Sequence, residues 1–276
     1  MIDFKLSAFS DEYADSFEEQ LRGMRHFEIE YIELRHLDKK NISTLTSAEV
    51  SEAKRKMDAY GIKASAIGSP LGKIKLDGDM NAHLDTARKV FLAANIMETP
   101  YVRMFSFYAP DGKSIENMRK EVLEALDRML LVAKEYGVTL CHENEAAIYG
   151  DTPEHCLDLL EHFGGRLKCV FDMGNFTLEG AEPTKAYGLL KDHVAYFHIK
   201  DALAAGAVVP PGMGEAKIKE ILGAHCKQTF ITLEPHLQTF SGLNALVGHS
   251  FDNPYKYPDA KTAFTDAVNK LKELIK

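Results

Sequence analysis

The chain has 276 residues, 45% of them hydrophobic, with no composition break at mid-chain, so 1–276 is expected to form one domain around one large core. Its formal net charge of −8 opposes polyanions and excludes nucleic acid as an expected partner, although a phosphorylated sugar would need only a local basic site.

Apolar runs bounded by polar residues recur along the chain and alternate with helical periodicity. Residues 5–10 predict a short strand, and 11–26 a helix with acidic residues early and Leu21 and Met24 at helical spacing. A second strand over 31–36 leads to a helix from about Ser47, capped by Thr46 or Ser47 and stopped at Gly61. The third strand, 62–69, is followed by a turn at 70–72 and a helix over 80–94. The fourth, 101–106, precedes a long amphipathic helix over 115–136 that Gly137 closes. The fifth, 138–143, precedes a helix capped by Asp151 or Thr152, with Pro153 in its first turn. The sixth, 167–172, leads to a helix over 183–190. The seventh, 193–201, leads through flexible sequence around Gly206 and Pro210 to a helix over 214–222. The eighth, 229–234, leads by a long loop to a last helix over 259–275.

Eight strand–helix alternations predict an α/β fold, a single (β/α)8 TIM barrel with its active site at the C-terminal ends of the strands. An open doubly wound sheet is disfavoured, because no Gly-rich phosphate loop follows the first strand. The four cysteines are scattered without a C-x-x-C pair, which predicts reduced, buried thiols in a cytoplasmic protein. Residues 1–5 show no basic segment leading into an apolar one, so no signal peptide is expected. No apolar run approaches membrane-spanning length, so no membrane partner is expected.

Four successive strands end in a polar group: Glu143, Asp172, His198 and Glu234. Strand residues alternate inward and outward. With these four inward, Leu140, Phe171, Phe197, Ile231 and Leu233 point outward, where helices would cover them. Three buried carboxylates repel one another unless a cation joins them, and an oxygen-rich set with one imidazole suits Mn, Mg, Co or Zn. One divalent metal ion is therefore expected, held by Glu143, Asp172, His198 and Glu234. Glu145 shares the inward parity of Glu143 and stands as the alternative first ligand.

At these residues the chain resembles the sugar phosphate isomerase/epimerase family, the xylose-isomerase-like TIM barrels. The resemblance runs nearly the whole length. It is carried by Glu143-Asn144-Glu145, by residues 171–176 (FDMGNF), by His198-Ile199-Lys200-Asp201 and by residues 233–236 (LEPH). It implies the same four ligands and a metal-dependent sugar or keto-sugar isomerase or epimerase. Such an enzyme transfers a proton beside a carbonyl through a metal-stabilised enediolate. Glu143 and Glu234, on opposite sides of the mouth, are the expected proton-transfer pair. Ketose epimerases of this family often carry Asp-x-x-His after strand six; here the position is Asn175, which hydrogen-bonds but does not titrate.

Arg103, Asn175, Lys200 and His236 are the expected substrate contacts. For Arg103 the competing role is an ion pair with Glu33 or another mouth carboxylate, and for Lys200 an ion pair with Asp201. His142 has outward parity and reads as a packing residue. Glu33, Arg35 and His36 end strand two, with the sequence silent on which faces the pocket. Phe105, Phe107, Tyr108, Phe240, Phe251 and Tyr255 offer rings that could stack on a sugar or form a homo-oligomer interface.

Competing functions are a metal-dependent lyase or dehydratase acting on an inosose or 3-keto-glycoside, a non-catalytic sugar-binding barrel, and an endonuclease IV-like DNA-repair enzyme. The acidic charge and the absence of a second histidine at Asn175 count against the last. The partner expected is a small-molecule sugar or sugar derivative.

Overall fold

In the computed structural model, residues 4–238 and 254–276 are described. Phe240 and Phe251 lie outside them. The barrel strands are β1 (Lys5–Ala8), β2 (Tyr31–Leu34), β3 (Lys63–Gly68), β4 (Tyr101–Met104), β5 (Thr139–Glu143), β6 (Leu167–Asp172), β7 (Val194–Ile199) and β8 (Phe230–Leu233). Each pairs in parallel with its chain neighbours, and β8 returns to β1, so the sheet closes as the eight-strand alternation predicts.

The helices are α1 (Phe17–His26), α2 (Ser47–Tyr60), α3 (Met80–Ile96), α4 (Arg119–Tyr136), α5 (Pro153–Phe163), α6 (Met173–Leu178), α7 (Pro183–Leu190), α8 (Ile218–Ala224) and α9 (Ala260–Leu274). Their ends follow local chemistry. Thr46 and Glu49 form a reciprocal capping box on α2, and Thr152 rather than Asp151 caps α5. Gly61 and Gly137 close α2 and α4 with φ of 64° and 68°, a backbone region that favours glycine.

Alternation divides the apolar residues into two layers. Leu140, Phe171, Phe197, Ile231 and Leu233 join the large cluster between sheet and helices. Ala66, Cys141, Val170 and Tyr196 fill the barrel interior. The inward residues one step further along β5, β6 and β7 are Glu143, Asp172 and His198, so the sheet itself delivers them to the mouth.

Several local expectations are corrected. Residues 11–16 do not begin α1: a 3-10 turn covers Ser10–Glu12 and buries Asp11 and Glu12. The helix expected from Gly214 starts at Ile218, because the Asp201 carboxylate accepts hydrogen bonds from Gly214 and Ala216 and holds that stretch as a loop. The sequence expected to be flexible after β7 contains a short hairpin, Asp201–Leu203 with Ala207–Val209. Cys141, Cys156 and Cys169 are buried thiols, whereas Cys226 is exposed. Among the described residues no helix is long and apolar enough to cross a membrane.

Candidate metal centre

Glu143, Asp172, His198 and Glu234 meet at the C-terminal mouth of the barrel. One ligand atom from each lies within 4.8 Å of the others, and all four residues are buried. His198 Nδ1 lies 2.8 Å from Glu143 Oε1 and 3.2 Å from Glu234 Oε2. Phe9 packs edge-on against the His198 ring at 5.1 Å between centroids. The donor set, three carboxylates and one imidazole, is able to hold a divalent cation.

Each of the two glutamates is braced by its own arginine. Arg103 Nη1 donates to Glu143 Oε2 at 2.7 Å, and Arg35 Nη1 donates to Glu234 Oε1 at 2.9 Å. Arg103 thus pairs with a mouth carboxylate, and that carboxylate is Glu143 rather than Glu33. Its guanidinium also lies 4.6 Å from the Phe105 ring centre. Glu145 turns away and pairs with Lys73 at 3.0 Å, which separates it from the cluster.

Lys200 does not pair with Asp201. Its Nζ donates to Asp172 Oδ2 and Asn175 Oδ1, both at 2.9 Å, and lies 3.4 Å from Glu234 Oε2. Asp201 instead receives four backbone N–H groups, from Ala202, Gly212, Gly214 and Ala216. Asn144 exchanges two hydrogen bonds with the Asp172 backbone, and its carbonyl accepts from the Asn175 side chain. This joins the ends of β5 and β6. His142 points outward, as its parity predicts, and bonds to Ser106 Oγ at 2.9 Å.

The ionisation pattern follows from burial against pairing. Burial pushes the Glu143 carboxyl up, but His198 and Arg103 overcome it and lower the group to about 2. For Glu234, burial is outweighed by Lys200, His236 and His198, and the carboxyl falls well below its ordinary range. Burial wins at Asp172, which rises to about 7 despite Lys200. Burial disfavours a charged His198, yet Glu143 and Glu33 raise its pKa well above the ordinary value. Burial, helped by Lys200, lowers His236 to about 4.

A further group of buried and half-buried residues continues the site towards β1 and β2. Arg35 also donates to both Asp11 oxygens, at 2.9 and 3.1 Å, and to Glu12 at 3.1 Å. His36 Nδ1 lies 3.0 Å from Asp11. His236 Nε2 sits 3.3 Å from Glu234 and 3.4 Å from Glu12, with φ of 47°. Both Glu33 and Arg35 face inward. The strand-end rule that picks out Glu143 also applies to Asp11 and Glu12, but their expected place in a helix masks it. Lys73 sits in a turn and carries no sequence signal.

A family model described as xylose isomerase-like TIM barrel matches residues 21–240. No curated protein matches by sequence. Among solved structures, the D-psicose 3-epimerase from Clostridium cellulolyticum H10, solved with D-tagatose, superposes with a TM-score of 0.76 at 12% identity, covering 99% of this chain and 98% of that one. The probable 3-DHS dehydratase AsbF from Bacillus anthracis, involved in petrobactin synthesis, gives 0.74 at 17% identity, covering 100% and 99%. A xylose isomerase-like TIM barrel protein from Mycobacterium smegmatis in complex with magnesium gives 0.71 at 13% identity, covering 99% and 97%.

Proposed function

Because the chain belongs to the xylose isomerase-like TIM barrel family, we propose that it is a divalent-metal-dependent isomerase or epimerase of a sugar or keto-sugar. The observation that carries this reading is the buried cluster of Glu143, Asp172, His198 and Glu234 at the barrel mouth. These four would hold the ion. A bound divalent ion supplies positive charge where a carbonyl turns into an enediolate.

Glu143 and Glu234 perform the proton transfer. Pairing holds both carboxyls ionised; one takes the carbon-bound proton, and on the other face the second carboxylate, having drawn a proton from water, or a water itself returns one to the enediolate. They come from β5 and the end of β8, and each is fixed by a different arginine, so each addresses a substrate from its own side. Fixed geometry at both carboxylates limits the reorganisation needed as the proton moves. Arg103, Lys200, Asn175 and His236 line the same mouth and orient substrate oxygens; Lys200 and Asn175 already act as one hydrogen-bonded pair.

The solved epimerase with D-tagatose supports the choice of substrate class. A second reading, a lyase or dehydratase, draws on the likeness to the 3-DHS dehydratase. The two share proton abstraction and differ in whether a β-leaving group departs. The test is a screen of the protein, supplied in turn with Mn, Mg, Co and Zn, against ketoses, inososes and 3-keto-glycosides. The expected result is solvent deuterium entering one substrate carbon as an isomer forms. An elimination product without exchange favours the dehydratase. Full activity after chelation would sink the metal-dependent mechanism.

A further inference from the structure

Glu33, at the centre of β2, is buried and contacts the cluster from the side opposite the other carboxylates. Its Oε2 lies 3.0 Å from His198 Nε2, and its Oε1 accepts a hydrogen bond from the Tyr196 hydroxyl at 3.1 Å. Tyr196 stands two residues before His198 on β7, so both face the barrel interior. Glu33 therefore hydrogen-bonds two consecutive inward side chains of one strand.

The chemistry of this contact is restrictive. An ionised carboxylate only accepts, so a hydrogen bond between Glu33 and His198 places the proton on Nε2. The other ring nitrogen, Nδ1, faces Glu143 and Glu234 at 2.8 and 3.2 Å. Without a cation both ring nitrogens face carboxylates and both hold a proton; a cation shared by Glu143 and Glu234 would take the place of the Nδ1 proton and receive the Nδ1 lone pair, leaving the Nε2–H on Glu33. With the ring in the other tautomer, Nδ1 has no lone pair to give.

We propose that Glu33, braced by Tyr196, is a positioning residue that fixes the tautomer and rotation of His198 so that Nδ1 is its metal-donating atom. The inference rests on the metal-site reading of the cluster. Glu33 itself does not touch the ion; it acts through the imidazole. Outer partners of this kind orient a ligating histidine and raise its basicity, and losing one typically weakens metal binding about 10–100-fold. Glu33 thereby joins β2 to a centre whose ligands come from β5 to β8.

Titration calorimetry with Mn2+ on metal-stripped protein tests this, comparing wild type with Glu33→Ala, Glu33→Gln and Tyr196→Phe. The expected result is one ion per wild-type chain and about 10–100-fold weaker binding by Glu33→Ala. Glu33→Gln, which keeps an acceptor but not the charge, should lose less, and Tyr196→Phe least. If Glu33→Ala does not fold, Tyr196→Phe together with Glu33→Gln carries the test. In Zn2+-loaded protein labelled with 15N-histidine, NMR should show His198 protonated on Nε2 and not on Nδ1. Folded variants that bind within twofold of wild type, or a His198 protonated on Nδ1, would overturn the assignment. A wild-type chain that binds none of Mn2+, Mg2+, Co2+ and Zn2+ refutes the metal-site reading itself, and this inference with it.

Discussion

Arg35 Nη1 lies 2.9 Å from Glu234 Oε1, joining residues 199 positions apart. The guanidinium is fully buried and faces three carboxylates at once, those of Asp11, Glu12 and Glu234. It also stacks 4.1 Å over the Phe9 ring. A planar, always-charged fork satisfies this geometry, and a lysine ammonium cannot reach all three partners.

Removing that charge leaves the carboxylates buried without their counter-ion. Arg35→Met is expected to cost about 3–5 kcal/mol, the scale for breaking a buried ion pair from one side. Urea denaturation measures it. Arg35→Lys should fold better than Arg35→Met yet lose activity, because Glu234 is no longer held at a fixed angle. A Met variant as stable as wild type would show that the carboxylates simply take up protons.

How much of this site is legible in the sequence depends on where the information lies. Glu143, Asp172, His198 and Glu234 are readable because each ends an apolar run of matching parity, and the structure brings all four together. Arg35 and Glu33 share inward parity on β2, but a register shift between Ile32 and Glu33 intervenes against β3, and no local pattern says where they lead. Their partners are set by barrel closure, which places β1 beside β8. Asp201 misleads for another reason: beside Lys200 it looks like an ion-pair partner, whereas its oxygens serve backbone groups up to 15 residues away. The short α6, with glycine, asparagine and threonine in six residues, is too brief and too polar to show a helical period.

The ambiguity between Glu143 and Glu145 gives a sharp metal prediction. Glu143 lies in the cluster, and Glu145 is tied to Lys73 at 3.0 Å. Glu143→Gln is expected to abolish tight binding of Mn2+, while Glu145→Gln leaves the stoichiometry at one ion per chain. Adding the ion should raise the Tm of wild type and of Glu145→Gln by mass action, about 2.7 kcal/mol of stabilisation at 100 times Kd, and chelator should reverse it. Equal loss of binding in both variants would move the first ligand to a shared role.

Acid sensitivity away from the centre is expected from His83. Its Nε2 accepts the backbone N–H of Gly72 at 2.9 Å, so the ring must be neutral on that nitrogen. Gly72 has φ of 85°, and a Cβ there would fall 2.0 Å from the Phe105 carbonyl oxygen, so the turn is docked tightly on the end of β4. Burial lowers the His83 pKa below its ordinary 6.5. Its contribution to stability is therefore present above about pH 6.5 and is lost as pH falls through the lower folded value. Stability by urea denaturation should decline below pH 6.5 in wild type and decline less in His83→Gln, which keeps an acceptor and does not titrate. Parallel curves for the two proteins would remove His83 from the acid limb.

Asp201 carries the last prediction. Its Oδ1 accepts from Ala202 and Ala216 at 2.9 and 3.1 Å, and its Oδ2 from Gly212 and Gly214, at 2.7 and 2.9 Å. One buried side chain thereby satisfies four backbone donors of the loop between β7 and α8. Gly214 has no room for a side chain, since a Cβ would lie 2.2 Å from Asp201 Oδ1. Asp201→Ala strands those donors, and at about 1–3 kcal/mol for each buried group left unsatisfied the cost is at least several kcal/mol unless water enters. Asp201→Asn keeps the shape but turns an acceptor into a donor facing N–H groups, so it should be nearly as harmful. Hydrogen exchange separates this role from catalysis: amides of Gly212, Gly214 and Ala216 should lose protection in both variants while those of β4 and β5 keep theirs. Lys200 begins one residue earlier and holds Asp172, so loosening the loop should raise KM more than it lowers kcat. A variant with full loop protection and a lowered kcat alone would instead place Asp201 in the chemistry.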